Sequence, residues 1–517
     1  MTESAPRLVR STAVVGQMTL FSRVLGFIRD MVIARMFGAT AAADVFFVAF
    51  KIPNLFRRLF AEGAFAQAFV PVLAEYRTNR EHGEVRELVG AASAALGLVV
   101  IAVSALGVVS APVFIMVFAP GFLDEADKLS LATTLLRLTF PYLALVSLTA
   151  LAGGVLNTYG RFAVPAFTPA LLNVAIIGAA LWLAPQLQQP VIALAIGVII
   201  GGVAQLALQL PFLARLGLLT LPRLRRAHPG VSRIKTLMIP AMFGVSVAQL
   251  NLMLDTIIAS FLVTGSISWL YYSDRLLEFP LGVFGIALGT VILPALSRQH
   301  AAGDGQHFSA TLDWGLRWVV IIGVPAALGL FLLSGPMLST LFQYEQMTPH
   351  DVAKASLSLN AYSLGLVAFI LIKILAPGYY SRQDTRTPVR IGIIAMLSNM
   401  VLNIILVFPL AHAGLALATS LSAYLNAGLL GRGLLRDGVY RPAAGWPVFL
   451  ARAAAANVVM CVLLIWWVPD TALWSGWHWS QRATTLAGAI FMGAGVYALT
   501  LAALGMRTRH LRAPGPV

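Results

Sequence analysis

The sequence predicts an all-α polytopic membrane protein. It has fourteen transmembrane helices, with two six-helix lobes related by pseudo-twofold symmetry and two further C-terminal helices. Three observations lead there. Of 517 residues, 59% are hydrophobic and only 11% charged, and the mean hydropathy is +0.83; a soluble domain carries about 25% charged residues. Apolar runs of about 20 residues, each long enough to span a bilayer as a helix, recur along the whole chain. Finally, two helix ends repeat at nearly one offset.

The runs cover about 11–35, 45–75, 88–110, 131–157, 163–184, 190–213, 236–262, 268–297, 311–333, 355–379, 388–409, 413–431, 447–468 and 484–506. No loop between them is long enough for a soluble domain. The first run is too long and too rich in arginine for a cleavable signal peptide. The segment WSGWHWS (474–480) reads as an aromatic belt at the outer interface. The single cysteine, Cys461, sits in an apolar run, forms no internal disulfide and belongs to no metal-type spacing.

The formal net charge of +15 would suit a nucleic-acid binder, but its placement does not. Twenty-two of the 36 Lys and Arg lie in the tails and in the loops after even-numbered helices. RTNREHGEVRE (77–87), RLRRAHPGVSRIK (223–235), SRQDTRTPVR (381–390) and RTRHLR (507–512) are examples. The odd-numbered loops are short, neutral or acidic, such as GFLDEADKLS (121–130) and FQYEQMTPHD (342–351). The positive-inside rule then predicts both termini in the cytoplasm. The basic surplus is a topology signal and an attraction to anionic lipid headgroups, not a nucleic-acid footprint.

FVPVLAEYR (69–77) resembles ILPALSRQH (292–300), with Pro71 matching Pro294; LNTYGRFAVP (156–165) resembles PGYYSRQDTRTP (377–388), with Tyr159 matching Tyr380 and Arg161 matching Arg382. A duplicated six-helix unit follows. An even helix number gives both copies one orientation, related by an axis along the membrane normal. The expected division is an N-terminal lobe 1–215, a basic cytoplasmic linker 216–235, a C-terminal lobe 236–433, and 434–517 for helices 13–14 and the tail. The second helix of each unit is interrupted: Pro53, Gly63 and Pro71 in helix 2, and Pro280, Gly282, Gly285, Gly289 and Pro294 in helix 8. Matched breaks point to a central transport site; ordinary kinking of membrane helices would give the same residues.

The charged positions within these runs carry the functional reading. Helix 1 holds Arg23, Arg29 and Asp30; helix 2 holds Asp44, Lys51, Arg57, Arg58 and Glu62. An ionisable group at bilayer depth costs roughly 2.5–3.5 kcal/mol even on insertion scales, so it faces protein or a wet cavity. Asp44, Lys51, Asn54, Arg58 and Glu62 fall at spacings of 7, 3, 4 and 4 and form one helical stripe. Arg58 and Glu62 are i,i+4 neighbours and can form a plain salt bridge. Arg57 points off the stripe and is the better ligand candidate. Gly26 permits a bend between Arg23 and Arg29. Helix 8 adds Asp274, Arg275 and Glu278; the two carboxylates at i,i+4 would repel, so one is expected to pair with an arginine of the facing lobe. Mostly cationic groups suggest a cavity for an anion. Guanidinium suits phosphate because its planar donors bind bidentately, so arginines of helices 1, 2 and 8 would make a diphosphate clamp. Mutual ion pairing that merely holds the lobes together is the plainer alternative.

A fainter set comprises Asp255 in helix 7, Asn399 and Asn403 on one face of helix 11, and Thr419 in helix 12. Their oxygens suit a hard monovalent cation such as Na+; a buried hydrogen-bond network would use the same residues. The chain has no P-loop, no H-E-x-x-H and no G-x-S-x-G, and its glycine clusters lack the strand–turn–helix context of a nucleotide site.

FSRVLGFIRDMVIARMFG (21–38), ADVFFVAFKIPNLFRRLFAEGAFAQAFVPVLAEY (43–76), SWLYYSDRLLEFPLGVFGIALGTVILPALS (268–297) and APGYYSRQDTRTPV (376–389) closely resemble the MurJ (MviN) lipid II flippase family. The likeness covers about residues 10–510. It implies the fold of the multidrug/oligosaccharidyl-lipid/polysaccharide exporter superfamily, with fourteen helices in two lobes. It implies a transporter rather than an enzyme, in the bacterial cytoplasmic (inner) membrane. The implied substrate is lipid II, the undecaprenyl-diphosphate-linked peptidoglycan precursor, moved from the inner to the outer leaflet by alternating access. Arg23, Arg29, Arg57 and Arg275 then look like the family's cavity arginines, with Lys51 and Asn54 beside them. Asp30, Asp44, Asp274 and Glu278 look like its acidic gate or partner residues. Its sodium pattern maps to Asp255, Asn399, Asn403 and Thr419, with Asn403 where the family has a carboxylate. Helices 13–14 resemble a pair that forms a lipid-tail groove. No cofactor is expected, with Na+ and the membrane potential as candidate driving forces. Membrane lipids and cell-wall synthesis enzymes are the expected partners. A flippase for another lipid-linked oligosaccharide stays open on charge alone. A cation-coupled drug exporter would prefer an acidic or aromatic pocket, and a glycosyltransferase would need metal-binding carboxylates that the chain lacks.

Overall fold

The structure, a computed structural model, describes residues 5–220 and 228–507, and the side chains within them other than those of 5–15, 60–62, 64, 241, 243–248, 250–252 and 286. Residues 221–227 of the basic linker and nearly all of the tail segment 507–512 lie outside the described residues. Everything regular among the described residues is helix, as bilayer depth demands: each helix satisfies its own backbone hydrogen bonds where no water can. The chain divides into two compact units, Met1–Gly265 and Ser266–Val517.

The first unit contains α1 (Ala5–Phe37), α2 (Ala41–Arg57), α3 (Ala64–Asn79), α4 (His82–Val109), α5 (Ala111–Phe118), α6 (Ala126–Thr139), α7 (Tyr142–Thr158), α8 (Ala163–Gly178), α9 (Ile192–Arg215) and α10 (Pro229–Ala259). Helix α1 packs on α8, α9 on α7 and α8, α2 on α6, and α10 on α3. Helix α10 is the helix that the sequence reading puts at the head of the C-terminal lobe; its contacts lie in the first unit. A core of Phe65, Phe69, Leu73, Leu88, Val155, Leu156, Leu213 and Ile234 joins α3, α4, α7, α9 and α10. Apolar side chains gain little by leaving lipid for protein, so close packing does most of the joining here; the Phe65 and Phe69 rings stack at 5.0 Å.

The second unit contains α11 (Ser266–Pro280), α12 (Ile286–Ala301), α13 (Gly305–Trp318), α14 (Val324–Leu332), α15 (Ser334–Phe342), α16 (Pro349–Tyr380), α17 (Arg386–Arg436), α18 (Trp446–Trp467), α19 (Thr471–Trp474) and α20 (Trp479–Ala503). Helices α18 and α20 are fastened to the rest at three places. Asp313 of α13 accepts hydrogen bonds from Tyr440, Trp446 and the Ala443 amide. Tyr497 of α20 donates to the Ile321 carbonyl at 3.0 Å. Buried Arg482 donates to the carbonyls of Ser339, Gln343, Ser475 and Trp477. Trp474, expected in an interface belt, is instead fully buried in this core, with the Trp477 ring 5.1 Å away, while Trp479 is exposed. Cys461 is half-buried against the same core.

Each of the fourteen apolar runs falls on helix. Ten helical stretches among the described residues are long and apolar enough to cross a membrane. They do not include α1, α2 with α3, or α10. One of them, α17, covers both the eleventh and twelfth runs, with a break at Ala411 (φ 48°, ψ −129°).

The duplication is visible inside each unit. Helix 2 and helix 8 both loosen into a π turn at the interruptions, Arg58–Gly63 in one and Leu281–Gly285 in the other. Helices α4 and α13 begin at His82 and Gly305, and α8 and α17 at Ala163 and Arg386, again one register apart. The helix end before α8 closes with Gly160 N to Asn157 O and Arg161 N to Leu156 O; the one before α17 closes with Gln383 N to Tyr380 O and Asp384 N to Tyr379 O. Both are Schellman caps, which need a left-handed residue just past the helix. Gly160 (φ 76°) fills that place in the first copy and Gln383 (φ 62°) in the second. The cap therefore aligns Arg161 with Asp384, and Tyr159 with Arg382, two residues away from the match that sequence likeness suggests.

A non-glycine residue in that conformation is strained. Gln383→Gly is expected to stabilise the protein by about 1 kcal/mol, the left-handed cost less the extra chain entropy of glycine. The readout is a higher thermal unfolding midpoint of the full-length protein in detergent; a lower midpoint would contradict the cap.

Candidate functional site

In the first unit the charged groups of α1 are not isolated. Arg29 is 8% exposed and Asp30 1%. The Arg29 Nε and Nη2 atoms donate to Asp30 Oδ1 at 3.0 and 2.6 Å, and Nη1 donates to Asn173 Oδ1 at 3.1 Å. Asn173, on α8, also donates from Nδ2 to the Ser22 carbonyl at 3.1 Å. It thus holds α1 at two turns and aims the guanidinium. Helix α1 stays α-helical through Gly26, whose missing Cβ would stand 3.4 Å from Asn173 Nδ2. Arg23 is exposed.

On α2, Asp44 lies in the first turn, where a carboxylate suits the helix dipole. It is 3% exposed and accepts from the Gly265 amide at 2.6 Å. Lys51 Nζ donates to Thr256 Oγ1 of α10 at 2.6 Å. Asn54 turns its amide to its own helix, at the Phe50 carbonyl. Arg57 is half-buried at the last turn. Arg58 opens the π turn and donates to Gln249 Oε1 at 3.2 Å. The expected i,i+4 pairing of Arg58 with Glu62 assumes α-helical geometry, whereas a π turn bonds at i+5; the Glu62 side chain lies outside the described residues. Asp255, beside Thr256, is half-buried on α10.

In the second unit, Arg275 Nη1 meets Glu278 Oε2 at 2.7 Å, Nη2 meets the Tyr271 hydroxyl at 3.1 Å, and the guanidinium stacks 4.9 Å from the Tyr271 ring centre. Glu278, one of the two carboxylates, thus has an arginine of its own helix at i,i+3. Three of the four candidate cation ligands do come together. Asn399 Nδ2 donates to Thr419 Oγ1 (3.3 Å) and Ser422 Oγ (3.5 Å), and Asn403 Nδ2 to Asn399 Oδ1 (3.0 Å). Thr419 Oγ1, Ser422 Oγ and Asn399 Oδ1 thus each receive an amide proton. Asp255, the fourth, belongs to the first unit. Among the described residues no three His, Cys, Asp or Glu side chains group as a metal site.

Sequence reasoning missed Asn173, Thr256, Gln249 and Tyr271. Asn173 had a signal, a lone carboxamide in the apolar run PALLNVAII; its partner, 144 residues away, had none. Asn173→Ala leaves a buried guanidinium short of an acceptor. The expected cost is about 1–3 kcal/mol, seen as a lower unfolding midpoint; no change would show that the other partners of Arg29 suffice.

Known proteins resemble this chain in sequence and in fold. A sequence model of the family described as "Lipid II flippase MurJ" matches residues 33–478. A "Probable lipid II flippase MurJ" of Vibrio cholerae serotype O1 is 54% identical over 514 residues, 98% of either chain. A solved structure of "Lipid II flippase MurJ, inward closed conformation" superposes with a TM-score of 0.80 at 25% identity, covering 97% of this chain and 100% of that one. An inward-facing multidrug resistance MATE family transporter of the MOP superfamily has a TM-score of 0.69 at 10% identity, over 83% of this chain and 98% of its own, and shares the fold alone. With agreement along nearly its whole length, in sequence and in fold, the chain belongs to the lipid II flippase MurJ family.

Proposed function

We propose that this multi-pass membrane protein carries lipid II from the inner to the outer leaflet of the bacterial cytoplasmic membrane by alternating access, with both termini in the cytoplasm. The observation that carries the reading is the guanidinium of Arg29, buried within a membrane helix beside a carboxylate and a carboxamide. A buried cation that only fastened helices could be replaced by apolar packing at little cost. One that receives an anion has a reason to stay.

Arg23, Arg29, Arg57 and Arg275, with Lys51 and Asn54, are the groups for the diphosphate. Arg29 stands with Asp30 and Arg275 with Glu278. In each pair a phosphate can take the place of the carboxylate, because both offer oxygens at the spacing of the guanidinium fork. Asp30, Asp44, Arg58, Glu62, Asp274 and Glu278 then act as exchange partners that keep the cations satisfied when no lipid is bound. The prenyl tail stays in lipid beside α18 and α20. Return of the empty carrier draws on the membrane potential, worth roughly 2.3 kcal/mol per charge moved through 100 mV.

The test measures lipid II at the outer face of cells that depend on this protein, using an externally added lipid-II-cleaving enzyme. Wild type is expected to give cleavage, and Arg275→Ala, at equal protein amount, almost none. Near-normal cleavage with Arg275→Ala would remove that arginine from the path. Equal cleavage after depletion of the whole protein, with no other flippase present, would overturn the function.

A further inference from the structure

The acidic loop at 121–130 has no part in the transport reading, yet it contains a buried lysine. Lys128, in the first turns of α6, is 7% exposed. Its ammonium lies 2.5 Å from Glu125 Oε1, 2.7 Å from Thr264 Oγ1 and 5.9 Å from the centre of the Phe122 ring. Thr264 belongs to the turn 260–265 that follows α10. Two more contacts reach that turn. The Gly121 amide donates to Ser260 Oγ at 3.0 Å, and the Gly265 amide donates to Asp44 Oδ2 at 2.6 Å. The approach at Gly121 is so close that a Cβ there would stand 2.1 Å from the Ser260 carbonyl oxygen.

The turn does not need these contacts to end the helix. Its own amides at Ser260, Phe261 and Leu262 already bond to Thr256, Ile258 and Ala259 carbonyls. Three bonds from three other places, the start of α2, the 119–125 segment and the start of α6, come in addition. What they determine is where this end of α10 stands. One turn back along α10 is Thr256, the partner of Lys51 on the polar stripe of α2. Asp255 is its neighbour.

We propose that Lys128, with Gly121 and Asp44, forms a clasp on the 260–265 turn, and that Lys128 is a positioning residue for transport: it sets α10 so that Thr256 meets Lys51. Removing the ammonium costs the turn one of its three bonds and leaves Glu125 without its cation. The end of α10 then drifts, and the Lys51–Thr256 contact with it. The proposal rests on lipid II transport as the activity measured.

The test uses the full-length protein in two measurements. In lipid nanodiscs, Lys128→Met is expected to raise hydrogen–deuterium exchange over residues 254–265 and to leave 142–158 as in wild type. In the cell assay, Lys128→Met is expected to lower transport several-fold and Lys128→Arg to keep most of it. Thr256→Val is expected to lower transport too, and the double variant Lys128→Met/Thr256→Val to fall no further than the worse single. Sites that act through one geometry are non-additive, whereas a general loss of stability adds. Should Lys128→Met fail to accumulate, Thr264→Val replaces it in both measurements, because it removes only the acceptor hydroxyl. Unchanged exchange at 254–265, normal transport by either single variant, or additive losses in the double would each overturn the clasp. Absence of transport by wild type itself would count against the transport reading, and the exchange result would still decide the clasp.

Discussion

A charge within a bilayer must be answered by protein, and much of the arrangement here follows from that one constraint. Arg29 shows how. Its neighbour Asp30 supplies the counter-charge and Asn173 supplies a further acceptor from another helix. Because Asn173 also binds the Ser22 carbonyl, satisfying the guanidinium and docking α1 on α8 are one act. Lys51 does the same between α2 and α10, and Asp44 between α2 and the turn after α10. The polar groups that could serve an anion therefore also hold together the first unit.

In the second unit a membrane-depth arginine also meets a carboxylate on its own helix. Arg275 turns to Glu278 and Tyr271 of its own helix. Helices α18 and α20 are fastened by Asp313 of α13, by Arg482 near the start of α20 and by Tyr497 further along it. Arg482 gathers four carbonyls and so satisfies helix-end groups that lipid could not. The π turn that Tyr497 reaches at Ile321 exposes a carbonyl sideways, and the tyrosine fills the need.

The two copies keep their register where the backbone needs it and let it go elsewhere. The π turns at Arg58–Gly63 and Leu281–Gly285, and the paired Schellman caps, recur because they shape the helices. The side chains around them have diverged: Arg161 stands where the second copy has Asp384. Likeness of letters placed Arg161 against Arg382 instead, since a short motif can slide by two residues while a cap cannot.

The sequence by itself determined the class of fold, the helices, the breaks in helices 2 and 8, the duplication and the charged positions. Each of these is local, resting on apolar run length, Pro and Gly, or the cost of charge in lipid, and each is readable from a few neighbouring residues. It also placed Asn399, Asn403 and Thr419 together, since a helical face and one connecting turn suffice. Only the tertiary structure decided who answers whom. Asn173 for Arg29, Thr256 for Lys51, Thr264 for Lys128 and Gln249 for Arg58 lie between about 130 and 210 residues apart in the chain, and no helical periodicity relates positions on different helices. The fate of Trp474 was hidden for the same reason. A tryptophan at a membrane boundary reads as belt until the short helix α19 is seen to turn it into the core.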